Sequence, residues 1–180
     1  MNAVELELPA WGIASPKRRA HIARVTELAL SWGDAMRIEQ VERDAWRDAA
    51  RWHDALRDAS EAQLRAIVPR LDWPVSLLHG PAAATRLAED GERRTSVLEA
   101  IFWHTTGNAS WDRTGRALYM ADFLEPGRQF ERKARARLAA NVAGDFDDTF
   151  REVVTIRLGA RVASGEKLRA ETAALWESVQ

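Results

Sequence analysis

The sequence predicts an all-α fold, a compact bundle of several helices. Three observations carry this expectation. Long stretches of Ala, Leu, Arg and Glu, all good helix formers, fill most of the 180 residues. The alternation of Val, Ile and Thr that marks half-buried strands is nearly absent. The 10 glycines and 6 prolines are sparse and fall at the junctions between the helical stretches.

The first helix opens at Ser15-Pro16, with serine suited to the N-cap and proline to the first helical position. It runs through His21, Val25, Leu28 and Ala29 to about Trp32, with Gly33 as its expected stop. Steps of three and four along these positions place His21 on the buried stripe. A second helix is predicted from about Glu39 to Leu56, carrying Trp46, Ala49, Ala50 and His53 at the same spacing. A shorter element spans Glu61 to Val68, and Pro69 and Pro74 make residues 69–76 a connection. His79 and Gly80-Pro81 open the next helix, which reaches Glu89 before an Asp90-Gly91 turn. A helix from about Glu92 to His104, a loop from Thr105 to Ser110 and a helix from Trp111 to Leu124 follow. Glu125-Pro126-Gly127 stops the last of these. Two more helices are predicted at about Arg128–Asn141 and Asp145–Val162, and Gly165 separates a final one at about Leu168–Ser178. Ahead of the first helix, Leu6 to Trp11 is expected to be extended and docked by its apolar residues. The chain therefore divides into an N-terminal extension, 1–14, and one domain, 15–180.

Composition narrows the function classes. A hydrophobic content of 46% excludes disorder, and a chain of this length buries about 70% of its unfolded surface. The absence of cysteine excludes disulfides, cysteine-based zinc sites, iron–sulfur clusters and a thiol nucleophile. Lys and Arg number 26 against 27 Asp and Glu, so no sequence-wide charge draws the chain to nucleic acid or to anionic lipid. No apolar run approaches the ~18 residues of a membrane span, and the opening MNAVELELPAW lacks the basic start of a signal peptide. A cytoplasmic location without nucleic-acid or membrane partners is expected. Glycine-rich phosphate loops, the Gly-x-Ser-x-Gly elbow and the dinucleotide fingerprint are absent. The eight tryptophans are read as core, and the basic stretch Arg128 to Arg137, Arg128 excepted, as a solvated helix face.

The chemistry lies in the placement of four histidines and two aspartates: His21, the adjacent pair His53-Asp54, His79, His104 and Asp122. Successive members are separated by about one helix and a connection, so each falls on or beside a different helix. A bundle can turn such a set into one centre. Imidazole nitrogens mixed with carboxylate oxygens suit iron, manganese, zinc or nickel better than calcium or magnesium.

The strings around these residues resemble a known family. The order His, His-Asp, His, His, Asp is that of HD-domain phosphohydrolases, and the local strings are similar to the YqeK-like branch, the symmetrically cleaving diadenosine tetraphosphatases. They are Arg18-Arg19-Ala20-His21, Trp52-His53-Asp54-Ala55-Leu56-Arg57 and Leu78-His79-Gly80-Pro81, then Ala100-Ile101 with His104-Thr105-Thr106-Gly107, and Tyr119-Met120-Ala121-Asp122-Phe123-Leu124-Glu125-Pro126-Gly127-Arg128. The resemblance covers about residues 15–175. Arg57 stands where the family has lysine, the stretch between Asp54 and His79 is shorter, and Leu168-Arg169-Ala170-Glu171-Thr172 lacks the family's His-Pro.

The resemblance implies roles. His21, His53, Asp54 and Asp122 would hold a main metal, iron or alternatively manganese or another divalent transition metal. His79 and His104 would hold a second ion or touch phosphate, with Asp54 bridging if there are two. Arg18, Arg57, Thr105 and Arg128 would contact a polyphosphate, Ser60 is a further substrate-binding candidate, and Leu168, Arg169 and Thr172 would lie near a nucleoside. Asp54, Arg57, His79 and His104 form the catalytic set. A bound metal lowers the pKa of its water from ~15.7 towards ~7 and polarises a phosphoryl oxygen. The expected reaction is symmetrical hydrolysis of diadenosine tetraphosphate to two ADP. The alternatives are an HD phosphohydrolase of nucleoside monophosphates or related esters, and a non-catalytic nucleotide-binding module. The expected partner is a dinucleoside polyphosphate or an ADP- or GDP-type nucleotide, with a homodimer as the candidate assembly.

Overall fold

A computed structural model describes residues 7–180. Among these residues it contains nine α-helices, one short 3-10 turn and no strand. The helices are α1 (Pro16–Met36), α2 (Gln40–Trp52), α3 (Glu61–Ile67), α4 (His79–Glu89), α5 (Thr95–Trp103), α6 (Arg113–Leu124), α7 (Arg132–Asn141), α8 (Phe146–Ala163) and α9 (Ala170–Glu177). The centre is made by α1, α2, α5 and α6. Helix α4 packs along α5, α3 leans on α4, α7 and α8 cover α6, and α9 sits on α8. None of these helices is long and apolar enough to cross a membrane.

Capping and the apolar stripes set most boundaries. The Ser15 side chain accepts from the Arg18 N–H, and Pro16 starts α1, whose buried face is His21, Ile22, Val25, Thr26, Ala29 and Trp32. Asp112 caps α6 by accepting from the N–H groups of Thr114 and Gly115. Ala49, Ala50, Ala82, Ala83, Ala100, Ala117 and Ala121 are fully buried, and their small size lets the central helices approach closely. Gly115 lies under the Trp111 ring, where a Cβ would come within 2.3 Å of the indole.

Four boundaries differ from the expectation by three residues or more, each for an identifiable physical reason. Gly33 does not stop α1. The helix passes through it and ends at Arg37, which takes the left-handed conformation with φ 51°. Gly33 is buried against Ile38, so its small size serves packing. Helix α2 ends at Trp52 rather than Leu56 because the Ala55 carbonyl and the Asp58 N–H pair with the backbone of Ile13. The segment before α1 thus docks on residues 53–58 and holds them in tight turns. Leu6 lies outside the described residues, and Trp11 anchors the segment by donating to Asp90 at 2.6 Å. Helix α5 starts at Thr95 rather than Glu92, because the Glu92 side chain accepts from the N–H groups of Arg93 and Arg94. Helix α7 starts at Arg132 rather than Arg128, because Glu131 has φ 48° and breaks the run.

A charged brace joins α2 to α5. Arg94 donates to Asp48 of α2 at 2.7 Å and to Glu92 at 2.6 Å. The Arg94 side chain and the neighbouring N–H groups hold the Glu92 carboxyl down to about 2. A depressed carboxyl pKa stabilises the fold above the unfolded value and loses that contribution as the pH falls through the folded one. Glu92→Gln should therefore lower stability to urea at pH 7 by about 1 kcal/mol after solvent screening. The gap from wild type should close as the pH falls from about 5 towards about 2. A gap that stays constant with pH would show that the brace is not ionic.

Candidate metal centre

Six side chains converge where helix ends meet. His21 comes from the buried face of α1, His53 and Asp54 from the turn after α2, His79 from the first residue of α4, His104 from the turn after α5, and Asp122 from the last turn of α6. All six are buried. They form two donor trios, His21–His53–Asp122 and Asp54–His79–His104, in each of which the ligand atoms lie within 4.8 Å of one another. The Asp54 carboxylate stands between them. Its Oδ1 is 3.2 Å from His79 Nε2 and 3.5 Å from His104 Nε2, while its Oδ2 is 3.6 Å from His53 Nε2 and 3.7 Å from His21 Nε2.

The rings are oriented from behind. His53 Nδ1 donates to the Ala50 carbonyl at 2.7 Å, and His104 Nδ1 to the Ile101 carbonyl at 2.7 Å. His21 Nδ1 pairs with Glu125 at 3.1 Å. Each bond fixes the ring and aims Nε2 inward, the arrangement that metal-ligating histidines use. His21 Nε2 and His53 Nε2 are buried without a hydrogen-bond partner. His21 Nε2 lies 3.2 Å from Asp122 Oδ1 without hydrogen-bond alignment. Buried polar atoms rarely stay unpaired, and these two fit a divalent cation. His79 Nε2 and His104 Nε2 are 3.0 Å apart, both facing Asp54.

Electrostatics agree with this donor set. Burial pushes His53 down to about 4, so its ring is neutral. Burial opposes ionisation of Asp54 and Asp122, but the surrounding rings, with Arg157 and Arg128 beside Asp122, hold both carboxyls well below the usual range. Burial also opposes the charge on His21, yet Asp122, Glu125 and Asp54 outweigh it and raise the pKa.

Residues 18–137 match the family described as HD domain. The chain belongs to the HD domain family. Over 150 residues, 76% of this chain and 73% of the relative, it is 29% identical to a Staphylococcus aureus (strain NCTC 8325 / PS 47) protein named bis(5'-nucleosyl)-tetraphosphatase, symmetrical. A protein of the same name from Halalkalibacterium halodurans is 26% identical over 151 residues, 78% of this chain and 79% of its own. A crystal structure from Clostridium acetobutylicum, described as a predicted HD superfamily hydrolase involved in NAD metabolism, shares the fold. Its TM-score is 0.75 at 22% identity, covering 92% of this chain and 89% of its own.

The other residues expected at this HD centre divide into two groups. Arg18 and Arg128 line the cleft of ≈ 350 Å³ that opens over His21, and Thr105 Oγ1 lies 3.1 Å from His104 Nε2. Arg57 is half-buried, and its charge acts on His79. Ser60, in contrast, caps α3 and exchanges hydrogen bonds with Gln63. Leu168 is half-buried just before α9, Arg169 stacks over Trp73 at 4.3 Å, and Thr172 donates its hydroxyl to the Thr106 carbonyl at 2.8 Å. The Thr172 bond ties the C-terminal helix to the loop after His104, and the Arg169 stack ties its start to the connection before α4. Arg128 also makes a contact the sequence reading did not expect, donating to Asp122 Oδ1 at 2.6 Å. Arg18 does the same to Asp54 Oδ2 at 2.6 Å.

Three residues of the centre were not singled out. Glu125, buried behind His21, also accepts from Arg24 at 2.5 Å and from the Gly127 N–H at 2.6 Å, and these partners hold it down to about 2 despite burial. It follows Asp122 by one helical turn, a spacing visible in the sequence. Arg24 follows His21 at i+3, equally visible. Arg157 of α8 reaches Asp122 at 3.5 Å from far along the chain, with no local signal.

Asp54→Ala should lose most bound transition metal by elemental analysis, whereas His79→Ala should keep an ion at His21, His53 and Asp122. Equal metal content in Asp54→Ala and wild type would contradict the shared carboxylate.

Proposed function

We propose that this HD protein is a metal-dependent phosphoanhydride hydrolase that cleaves diadenosine tetraphosphate symmetrically into two ADP. The observation that carries the reading is the carboxylate of Asp54, a member of one donor trio that also faces the other, beside a cleft that opens over His21 and is lined by four cations, Lys17, Arg18, Arg24 and Arg128, against two acids, Asp58 and Glu125. A buried cation centre under a basic opening suits a phosphate chain with several negative charges better than a neutral ester. The names of the two relatives support a dinucleoside tetraphosphate as the substrate class and symmetrical cleavage.

His21, His53 and Asp122 would hold one divalent ion and His79, His104 and Asp54 a second, with the other oxygen of Asp54 turned to the first. Such ions lower the pKa of water and polarise a phosphoryl oxygen. The protein side chains supply position and charge. Arg18 uses one nitrogen on Asp54, and Arg128 uses two on Asp122. A guanidinium carries five N–H donors, so both keep donors for phosphate. Water attacks a central phosphorus, the bond to the bridging oxygen breaks, and ADP leaves as an anion whose charge Arg18 and Arg128 stabilise. The Thr105 hydroxyl, beside His104, is placed to donate to a phosphate oxygen.

The test is product analysis with diadenosine tetraphosphate and manganese. ADP as the sole product is expected. Formation of ATP with AMP would refute symmetrical cleavage, and hydrolysis of nucleoside monophosphates alone would favour the other HD reaction. Arg128→Ala should reduce kcat/KM by about ten- to hundred-fold, the loss of ~1.5–3 kcal/mol of charge-assisted bonding. Because Arg128 also holds Asp122, metal affinity should fall with it, and Arg128→Lys should recover part of both.

A further inference from the structure

The basic stretch after the metal centre is exposed at Arg132, Lys133 and Arg137, as a solvated helix face is, and it also borders a cleft. Arg128, Arg132, Lys133 and Arg135 line a cleft of ≈ 450 Å³ between α7 and the α1 and α6 side of the bundle. This volume lies in the range of small-molecule sites, roughly 300–1,000 Å³. Its apolar surface comes from Leu28, Leu124, Pro126, Ala136 and Ala139. The cleft shares Glu125 and Arg128 with the opening over His21, so the two meet at Arg128.

The charges in this cleft are unevenly spent. Glu125 is its one acid, and it is already bound to His21, Arg24 and the Gly127 N–H. Arg135 donates to the Phe123 carbonyl at 2.8 Å and stacks on the Phe123 ring at 4.2 Å, which fixes α7 to α6. Arg132 and Lys133 make no ion pair among the described residues, whereas nearby Arg137 pairs with Glu152, and Arg86 and Arg151 on other helices pair with Glu89 and Asp148. Two unpaired cations beside an apolar floor match a ligand that is both anionic and flat. A nucleoside diphosphate has that chemistry. Inorganic phosphate would make no use of the floor.

We infer that the α7 cleft binds one nucleoside diphosphate half of the substrate, with its nucleoside-linked phosphate on Arg132 and Lys133 and its base on the Leu28, Ala136 and Ala139 surface. The inference rests on the reading of the chain as a dinucleoside tetraphosphatase and states where half of that substrate lies. The phosphate chain then runs from the metal centre past Arg128 into this cleft.

Calorimetric titration of the metal-loaded protein with ADP and with pyrophosphate tests it, alongside KM for diadenosine tetraphosphate. Arg132→Ala/Lys133→Ala should raise the Kd for ADP and the KM together by about ten-fold, the size of one lost charge-assisted contact. Arg86→Ala/Arg151→Ala removes the same charge elsewhere and should leave both constants at wild-type values. Ala136→Trp, which fills the cleft, should weaken ADP but not pyrophosphate. Thermal midpoints close to wild type establish that each variant is folded. Unchanged ADP affinity in Arg132→Ala/Lys133→Ala, an equal loss in the control pair, or no ADP binding by the wild type would each overturn the inference. If the wild type fails to cut the dinucleotide yet binds ADP through Arg132 and Lys133, the tetraphosphatase reading fails and the subsite stands. If it cuts the dinucleotide with constants insensitive to these variants, the subsite fails and the reading stands.

Discussion

The constraint on which the rest of this structure depends is the burial of the Asp54 carboxylate, which is only 3% exposed, between four imidazoles. Removing a carboxylate from water costs several kcal/mol even after relaxation, so such a charge persists only where compensation is built in. Arg18 supplies part of it directly, and the inward-facing nitrogens of His21, His53, His79 and His104 supply the ligand set for a cation. The tight turns that present Asp54 exist because Ile13 bonds to the backbone of residues 55 and 58. The segment before α1 is therefore part of the centre's support, although among the described residues none of its side chains hydrogen-bonds to the six donors.

The same local device is used twice. His53 and His104 each follow the last residue of a helix and bond back to the carbonyl three residues earlier. This satisfies one of the free carbonyls at a helix end and fixes the ring in one step. Gly80 completes the arrangement on α4. A Cβ there would meet the Ile101 carbonyl at 2.7 Å and the His104 ring at 3.0 Å, so only glycine lets His79 and His104 come together. Helix packing, ring orientation and donor convergence thus share the same few backbone groups.

The all-helical fold and the six donors were legible in the sequence because both rest on local signals. Propensity and stripe periodicity marked the helices, and each donor sits in a short string at a helix end. Helix ends were less legible. Gly33 reads as a stop but is a packing glycine, and the end of α2 is set by Ile13, some forty residues away. The pairing of Arg128 with Asp122 was missed because a single string does not show which partner a freed arginine selects. Arg157 was invisible for a stronger reason, since only the packing of α8 over α6 brings it to Asp122. The cleft beside α7 depends on Leu28 of α1 meeting Ala136 and Ala139, and no pattern within residues 128–137 reveals that.

The central claim is that one carboxylate serves both donor trios. It is tested most directly by electron paramagnetic resonance of the metal-stripped protein titrated with manganese. If Asp54 joins the trios, two ions per chain should bind and the spectrum should be that of an exchange-coupled pair, and Asp54→Ala should lose both the coupling and most of the bound manganese. A fully loaded wild-type protein that shows only the hyperfine pattern of an isolated ion would contradict the account.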